Sequence, residues 1–301
     1  MSTNSLEHKL VLDLDSWIKG STSIFFRALP PFLIQYLKRV VRQDEINILH
    51  NRHHDKMGME YVNALLIDFK INIRIHNEHL LEKADRCIFV ANHPLGGADS
   101  LSLLHCIHKL KGKVVSPSNQ FFNYCPNLRP LIVGVNVFGK SSSEQIRAIN
   151  EVFRSDSQIM IFPAGLVSRH IKGKIQDPEW HKSFISKAIQ TERFVVPAFI
   201  SGKNSKKFYR LSRWRKFFRI KMPVEVLLLP QELLNKRGSD IDVVFGDPIP
   251  HTTFDHSKTP HQWAQTVREM VYELGEKNLT TIQNDPITKP NPSLSQKVQF
   301  S

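Results

Sequence analysis

Between Cys87 and Pro248, short apolar runs alternate with stretches in which apolar positions recur every three or four residues. Runs rich in β-branched and aromatic residues predict strands, and the 3.6-residue periodicity between them predicts helices. Strands are expected near 87–91, 113–116, 131–137, 158–163, 194–200, 223–229 and 241–245. Such alternation predicts an α/β fold with a mixed, mostly parallel sheet flanked by helices. Upstream the pattern changes, and residues 1–85 read as an N-terminal helical region. There Leu29-Pro30-Pro31 opens a helix with Phe32, Leu33, Tyr36, Leu37, Val40 and Val41 at helical spacing, while Phe69 to Ile75 alternates like an edge strand. Three helix starts are marked: Ser141-Ser142-Ser143-Glu144 as a capping box, Asp177-Pro178 as an N-cap followed by proline, and Thr259-Pro260 likewise. The last opens a helix with Trp263, Val267, Val271 and Leu274 on one face. The α/β domain is therefore assigned to 86–278, and the polar, proline-rich 279–301 is expected to be a flexible tail. No internal repeat is visible.

Composition adds bounds. With 301 residues, 41% apolar and 23% charged, the chain can bury a substantial single core. An excess of 41 Lys and Arg over 28 Asp and Glu, net +13, favours an anionic partner: a membrane surface, an acidic carrier protein or nucleic acid. Cys87, Cys106 and Cys125 have no C-x-x-C spacing, so neither a disulfide framework nor a zinc knuckle is expected. The start of the chain lacks the pattern of a signal peptide, and nowhere do about 18 uncharged apolar residues run together, so contact with lipid should be peripheral.

Candidate chemistry centres on Ala91 to Ser100, where the strand ending at Val90 breaks into a Gly-Gly loop and restarts as a helix. His93 and Asp99 stand in this loop, a base beside a carboxylate where α/β folds expose side chains and helix N–H groups to ligands. Taken alone, Asp99 reads equally well as a helix N-cap and His93 as a satisfied loop imidazole. Further segments follow in order: Gly134 to Lys140, Ile161 to Arg169 and Val195-Val196-Pro197-Ala198. His50, His53 and His54, or His105 with His108, have spacings a metal could use, but no nearby Cys or carboxylate set completes a site, so no metal is expected. Neither a Gly-x-Ser-x-Gly elbow nor a Walker-type loop is present, against a serine hydrolase or nucleotide-driven enzyme.

The order of these blocks resembles the glycerolipid acyltransferase superfamily, the PlsC-like enzymes, over roughly residues 30–250. More closely it resembles the hemolysin-like branch that includes ornithine- and glycine-lipid O-acyltransferases. That branch carries Asn-His-Pro-Leu-Gly-Gly-x-Asp, Phe-Pro-Ala-Gly-x-Val-Ser-Arg and Gly-Lys-Asn-Ser-x-x-Phe-Tyr, read here at 92–99, 162–169 and 202–209. The resemblance implies that His93 deprotonates an acceptor hydroxyl and Asp99 orients it, with N–H groups around Gly96, Gly97 and Ser100 helping to cradle the oxyanion. Arg169 is the next polar candidate, to grip an acceptor anion; Lys140 and Ser168 are weaker ones, and Gly165 with Pro163 shapes a turn. Against the wider superfamily one extra residue separates His93 from Asp99, Ala164 stands for Glu, and Lys140 replaces an Arg. Loss of groups that the resemblance assigns to phosphate favours another acceptor, since Lys offers only a point charge.

The expected activity is transfer of a fatty acyl chain to the hydroxyl of a lyso-lipid, favoured as a lyso-aminolipid such as an ornithine or glycine lipid. Acyl carrier protein or coenzyme A would bring the chain as co-substrate, and no further cofactor is expected. Lysophosphatidate is the alternative acceptor, and a non-catalytic membrane-binding protein the alternative of another class. The acid-free run Lys206 to Lys221 interleaves aromatics with cations; Lys206, Lys207, Arg210, Arg213, Trp214 and Lys216 are the expected contacts with an anionic membrane or carrier. Nucleic acid is not expected, and the inferred location is the cytoplasmic face of the inner membrane.

Overall fold

The computed structural model describes residues 12–20, 27–119, 125–135, 142–219 and 223–284. Helices α1 (Leu14–Lys19), α2 (Pro31–Val41), α3 (Gln43–Arg52) and α4 (Gly58–Asp68) lead into edge strand β1 (Asn72–His76). The α/β part follows as β2 (Cys87–Ala91), α5 (Gly97–Lys111), β3 (Val114–Asn119), β4 (Ile132–Val135), α6 (Ser143–Arg154) and β5 (Gln158–Ile161). A two-stranded hairpin of β6 (Arg169–Ile171) and β7 (Lys174–Gln176) precedes α7 (Ser183–Thr191) and β8 (Phe194–Ile200). The described chain closes with α8 (Lys206–Phe217), α9 (Leu229–Leu234), β9 (Asp240–Phe245) and α10 (Pro260–Asn284).

Among the described residues the main sheet has the order β1-β9-β8-β2-β5-β3-β4. Its pairs are parallel except β8 with β9, where Ala198 faces Phe245. This is the mixed, mostly parallel α/β architecture expected. Central strands are buried on both faces, which is why their sequences are continuous apolar runs. Cys87, Phe89 and Ala91 of β2 join a core with α4 and α5, while Ile88 and Val90 face a second core formed with α7 and α10. The sheet already begins at β1, which runs parallel to β9, so the region before residue 86 contributes an edge strand to it.

Several expectations shift. The apolar run 223–229 forms no strand: Val224–Leu228 is a 3-10 turn that runs into α9, with Pro230 in its first turn. Leu229 and Leu233 pack over Gly96 and Gly97 instead. The capping box sits one residue on, between Ser142 and Gln145. Asp177 caps nothing, because α7 starts only at Ser183 and its carboxylate is used elsewhere. Helix α10 continues to Asn284, past the expected tail start at 279, and its first turn is held by reciprocal bonds between Thr259 and Gln262.

Candidate active site

Strand β2 lies between β5 and β8, all three parallel, so their carboxyl ends converge, which is where open α/β sheets place ligands. Asn92 ties two of these ends together: its amide donates to the Ile200 carbonyl at 2.9 Å and accepts from the Ile200 N–H at 2.7 Å. His93 follows directly.

The sequence-predicted pair meets. His93 Nδ1 lies 3.1 Å from Asp99 Oδ2, the imidazole partly exposed and the carboxylate fully buried. Asp99 Oδ2 also accepts the N–H groups of Leu95 at 2.7 Å and Gly96 at 3.1 Å, and Oδ1 accepts that of Ser100 at 2.8 Å. A carboxylate so supplied with donors is an acceptor toward the ring, which puts the proton on Nδ1 and a free lone pair on Nε2. The same bonds correct one expectation. The N–H groups of Gly96 and Ser100, expected to cradle the oxyanion, hold Asp99 instead, together with that of Leu95; these bonds do not involve Gly97.

The glycines have a steric reason. Gly96 has φ +87°, and a Cβ there would meet Leu229 at 2.9 Å; one on Gly97 would meet Leu233 at 3.2 Å. They allow α9 to close over the loop that bridges the five residues between His93 and Asp99. On its other side the imidazole stacks on Phe162, the residue after β5, with centroids 4.1 Å apart and an interplanar angle of 21°.

Ser168 and Asp177 hold the main chain of His93. The Ser168 N–H donates to the His93 carbonyl at 2.7 Å, and its hydroxyl to Asp177 Oδ1 at 2.5 Å. Asp177 Oδ1 also accepts the His93 N–H at 3.2 Å, and Oδ2 the Trp180 indole N–H at 3.0 Å. Burial pushes the Asp177 carboxyl above its ordinary value, against the lowering effect of these bonds. Sequence reasoning passed over Asp177, Trp180 and Tyr272; only Asp177 carried a signal, and it resembled a helix cap.

Arg169 is placed elsewhere than expected. It is buried with Nε 3.1 Å from Glu225, Nη1 bonded to the Val167 and Ser168 carbonyls, and its guanidinium over the Phe208 ring at 4.8 Å. Arg215 approaches the other Glu225 oxygen at 2.9 Å, so the carboxylate is flanked by two cations. Burial lowers the pKa of Arg169 and Glu225 opposes this. The group therefore braces α8 against the hairpin and is turned away from solvent. Gly165, with φ +63°, closes an exposed turn through its N–H to the Phe162 carbonyl. Lys140 lies outside the described residues.

A cavity of about 440 Å³ adjoins the loop. Its wall is made by Asn92, Pro94 and Ser168, by Phe199, Ile200, Gly202 and Lys203, and by Tyr272 and Glu276 of α10. Lys203 stands exposed on this wall in the Gly-Lys-Asn-Ser run, while Glu276 lies 3.6 Å from Lys174. On α8, Lys206, Lys207, Arg210, Arg213 and Lys216 are exposed together with Trp214, Phe217 and Phe218, whereas Phe208, Tyr209 and Ser212 pack inward. Phe32 and Tyr36 of α2 are exposed as well, and both helices pack against the 224–228 turn. Among the described residues no helix is long and apolar enough to cross a membrane.

A family model described as Acyltransferase matches residues 18–280. The chain is similar to the lyso-glycine lipid O-acyltransferase of Bacteroides thetaiotaomicron, with 38% identity over 265 residues, 88% of this chain and 97% of that protein. It is also similar to the protein of the same description from Phocaeicola vulgatus, at 36% identity over 265 residues, 88% of this chain and 95% of that one. Among solved structures, the 1-acyl-sn-glycerophosphate acyltransferase PlsC of Thermotoga maritima aligns with 14% identity and a TM-score of 0.44, covering 89% of this chain and 90% of that one.

Proposed function

The chain belongs to the acyltransferase family that matches it from residue 18 to 280, and from that membership we propose an O-acyltransferase that esterifies the free hydroxyl of a lyso-aminolipid, a lyso-glycine lipid in the first place. The contact of His93 Nδ1 with Asp99 Oδ2 at 3.1 Å carries this reading. With Nδ1–H given to Asp99, His93 Nε2 takes the proton of the acceptor hydroxyl as its oxygen attacks the thioester carbonyl carbon. Asp99 stabilises the imidazolium as it forms. The C–S bond of the tetrahedral intermediate then breaks, and Nε2 returns the proton to the leaving thiolate. An ester and a free thiol result, with no covalent acyl-enzyme. The acyl donor in this reading is acyl carrier protein or coenzyme A, and no other cofactor takes part.

The acceptor assignment has support besides the relatives. An amino acid acylated through its nitrogen keeps a carboxylate, and Lys203 offers a single exposed cation on the cavity wall. Arg169, the residue best suited to a bidentate phosphate grip, is spent on Glu225. The exposed cations and rings of α8 support peripheral docking on an anionic leaflet, and the reading puts the enzyme at the inner face of the membrane. Transfer of a labelled acyl group from acyl carrier protein and from coenzyme A to a panel of lyso-lipids tests the reading. His93→Ala should abolish transfer while the protein stays folded, and preference for lysophosphatidate over lyso-glycine lipid would overturn the acceptor assignment.

A further inference from the structure

The acyl-transfer step as written uses the imidazole of His93 and the carboxylate of Asp99, and leaves a second buried carboxylate unexplained. Asp177 is wholly buried, and among the described residues no Lys or Arg ion-pairs with its carboxyl. Keeping such a group inside a protein is unfavourable unless its oxygens are well supplied with donors. Here the donors come from three separate segments: the His93 N–H, the Ser168 hydroxyl and the Trp180 indole. Its main chain is pinned too, the N–H on the Tyr272 hydroxyl at 2.7 Å and the carbonyl on Arg268 at 2.6 Å, both from α10. No helix starts at Asp177, so capping does not account for it.

We propose that Asp177 and Ser168 are positioning residues for His93, clamping both its backbone N–H and its backbone C=O so that the ring meets the acceptor hydroxyl at a fixed depth. The inference rests on the reading of His93 as the base. Asp177 takes the N–H at 3.2 Å, and Ser168, itself fastened to Asp177, supplies an N–H to the C=O at 2.7 Å. The side chain is fixed from the other side by Asp99 and by the stack on Phe162. Main chain and ring are thus held independently, and slackening the first tilts Nε2 while the ring keeps its bond to Asp99 and its stack on Phe162. Reactions that depend on near-attack geometry lose about a hundredfold for an error on the order of 1 Å.

The test uses the full chain and measures kcat, both KM values and the melting temperature for Ser168→Ala, Asp177→Asn and the double variant. Ser168→Ala removes only the hydroxyl and should lower kcat about 10- to 100-fold. Ser168 lines the cavity, but its hydroxyl is given to Asp177, so both KM values should stay within about twofold while the geometry of the base changes. The double variant should be no slower than Asp177→Asn alone, since the two residues act as one clamp. Unchanged kcat in Ser168→Ala overturns the proposal, as does a loss carried mainly by the acceptor KM, which would put Ser168 in contact with substrate. If Asp177→Asn fails to fold, Ser168→Ala still decides. Full activity of His93→Ala would sink the base assignment itself, whereas an inert His93→Ala beside a fully active Ser168→Ala sinks only the clamp.

Discussion

Replacing Asp99 by Asn keeps the shape of the catalytic pair and removes its charge. In the native loop Oδ2 takes three donors, from His93, Leu95 and Gly96, and Oδ1 takes one, from Ser100. The amide settles with its oxygen in the Oδ2 position, because the reverse sets NH2 against three donors. The Ser100 N–H then faces another donor, which costs about 1–3 kcal/mol of stability. The kinetic effect is larger. Attraction between an imidazolium and a carboxylate at 3.1 Å is about 5 kcal/mol at an effective dielectric of about 20. If half to all of the proton is transferred at the transition state, the loss is about 2.5–5 kcal/mol, a fall in kcat of about 10² to 10⁴. Both KM values should hold, since ground-state binding does not use the charge. The assay is steady-state transfer of a labelled acyl group, with circular dichroism confirming the fold. An Asp99→Asn enzyme within about threefold of the native kcat refutes the acid–base reading.

Three further outcomes are expected. Lys203→Met should raise the KM for a carboxylate-bearing acceptor about fivefold, as suits the loss of an exposed charge, and leave kcat and the donor KM alone; an unchanged acceptor KM removes Lys203 from headgroup recognition. Gly96→Ala should cost about 1–3 kcal/mol in urea unfolding, part from φ +87° and part from Leu229 at 2.9 Å, and adding Leu229→Ala should not recover the backbone part. Arg74→Met should destabilise by about 1–3 kcal/mol at neutral pH, discounted for the partial exposure of Arg74. Burial pushes Asp242 up, but the bonds from Arg74 and His76 outweigh this and leave it below 3.8. Stability from that lowering is present above 3.8 and lost as pH falls through the folded value. The difference in melting between native and variant should therefore shrink in acid, and a constant gap would exclude the ion pair as its source.

The fold was legible wherever a segment is buried on both faces or amphipathic over several turns. Strands β2, β5, β8 and β9 were found from their apolar runs alone. The error at 223–229 has a simple cause, since periodicity cannot separate a short apolar strand from a turn entering a buried helix, and Pro230 was the discriminating residue. In the site, the meeting of His93 and Asp99 was readable because one short loop joins the first to the opening turn of α5, which carries the second. Roles that depend on distant partners were not: Arg169 is defined by Glu225, 56 residues away, and Asp177 by His93, 84 residues away. Neither partner leaves a mark in local sequence.

The leucines pressed onto Gly96 and Gly97 turn a stability detail into a rule for judging distant kin. A homologous chain with the same histidine-to-aspartate interval but a side chain at the first of these glycines bears the strain of φ +87° and must also turn the end of Leu229 aside, carry something smaller there or let α9 back away. Paired variation between those two positions, 133 residues apart in the chain, would identify descendants that preserve the closed loop; bulk at both would mark ones that abandoned it.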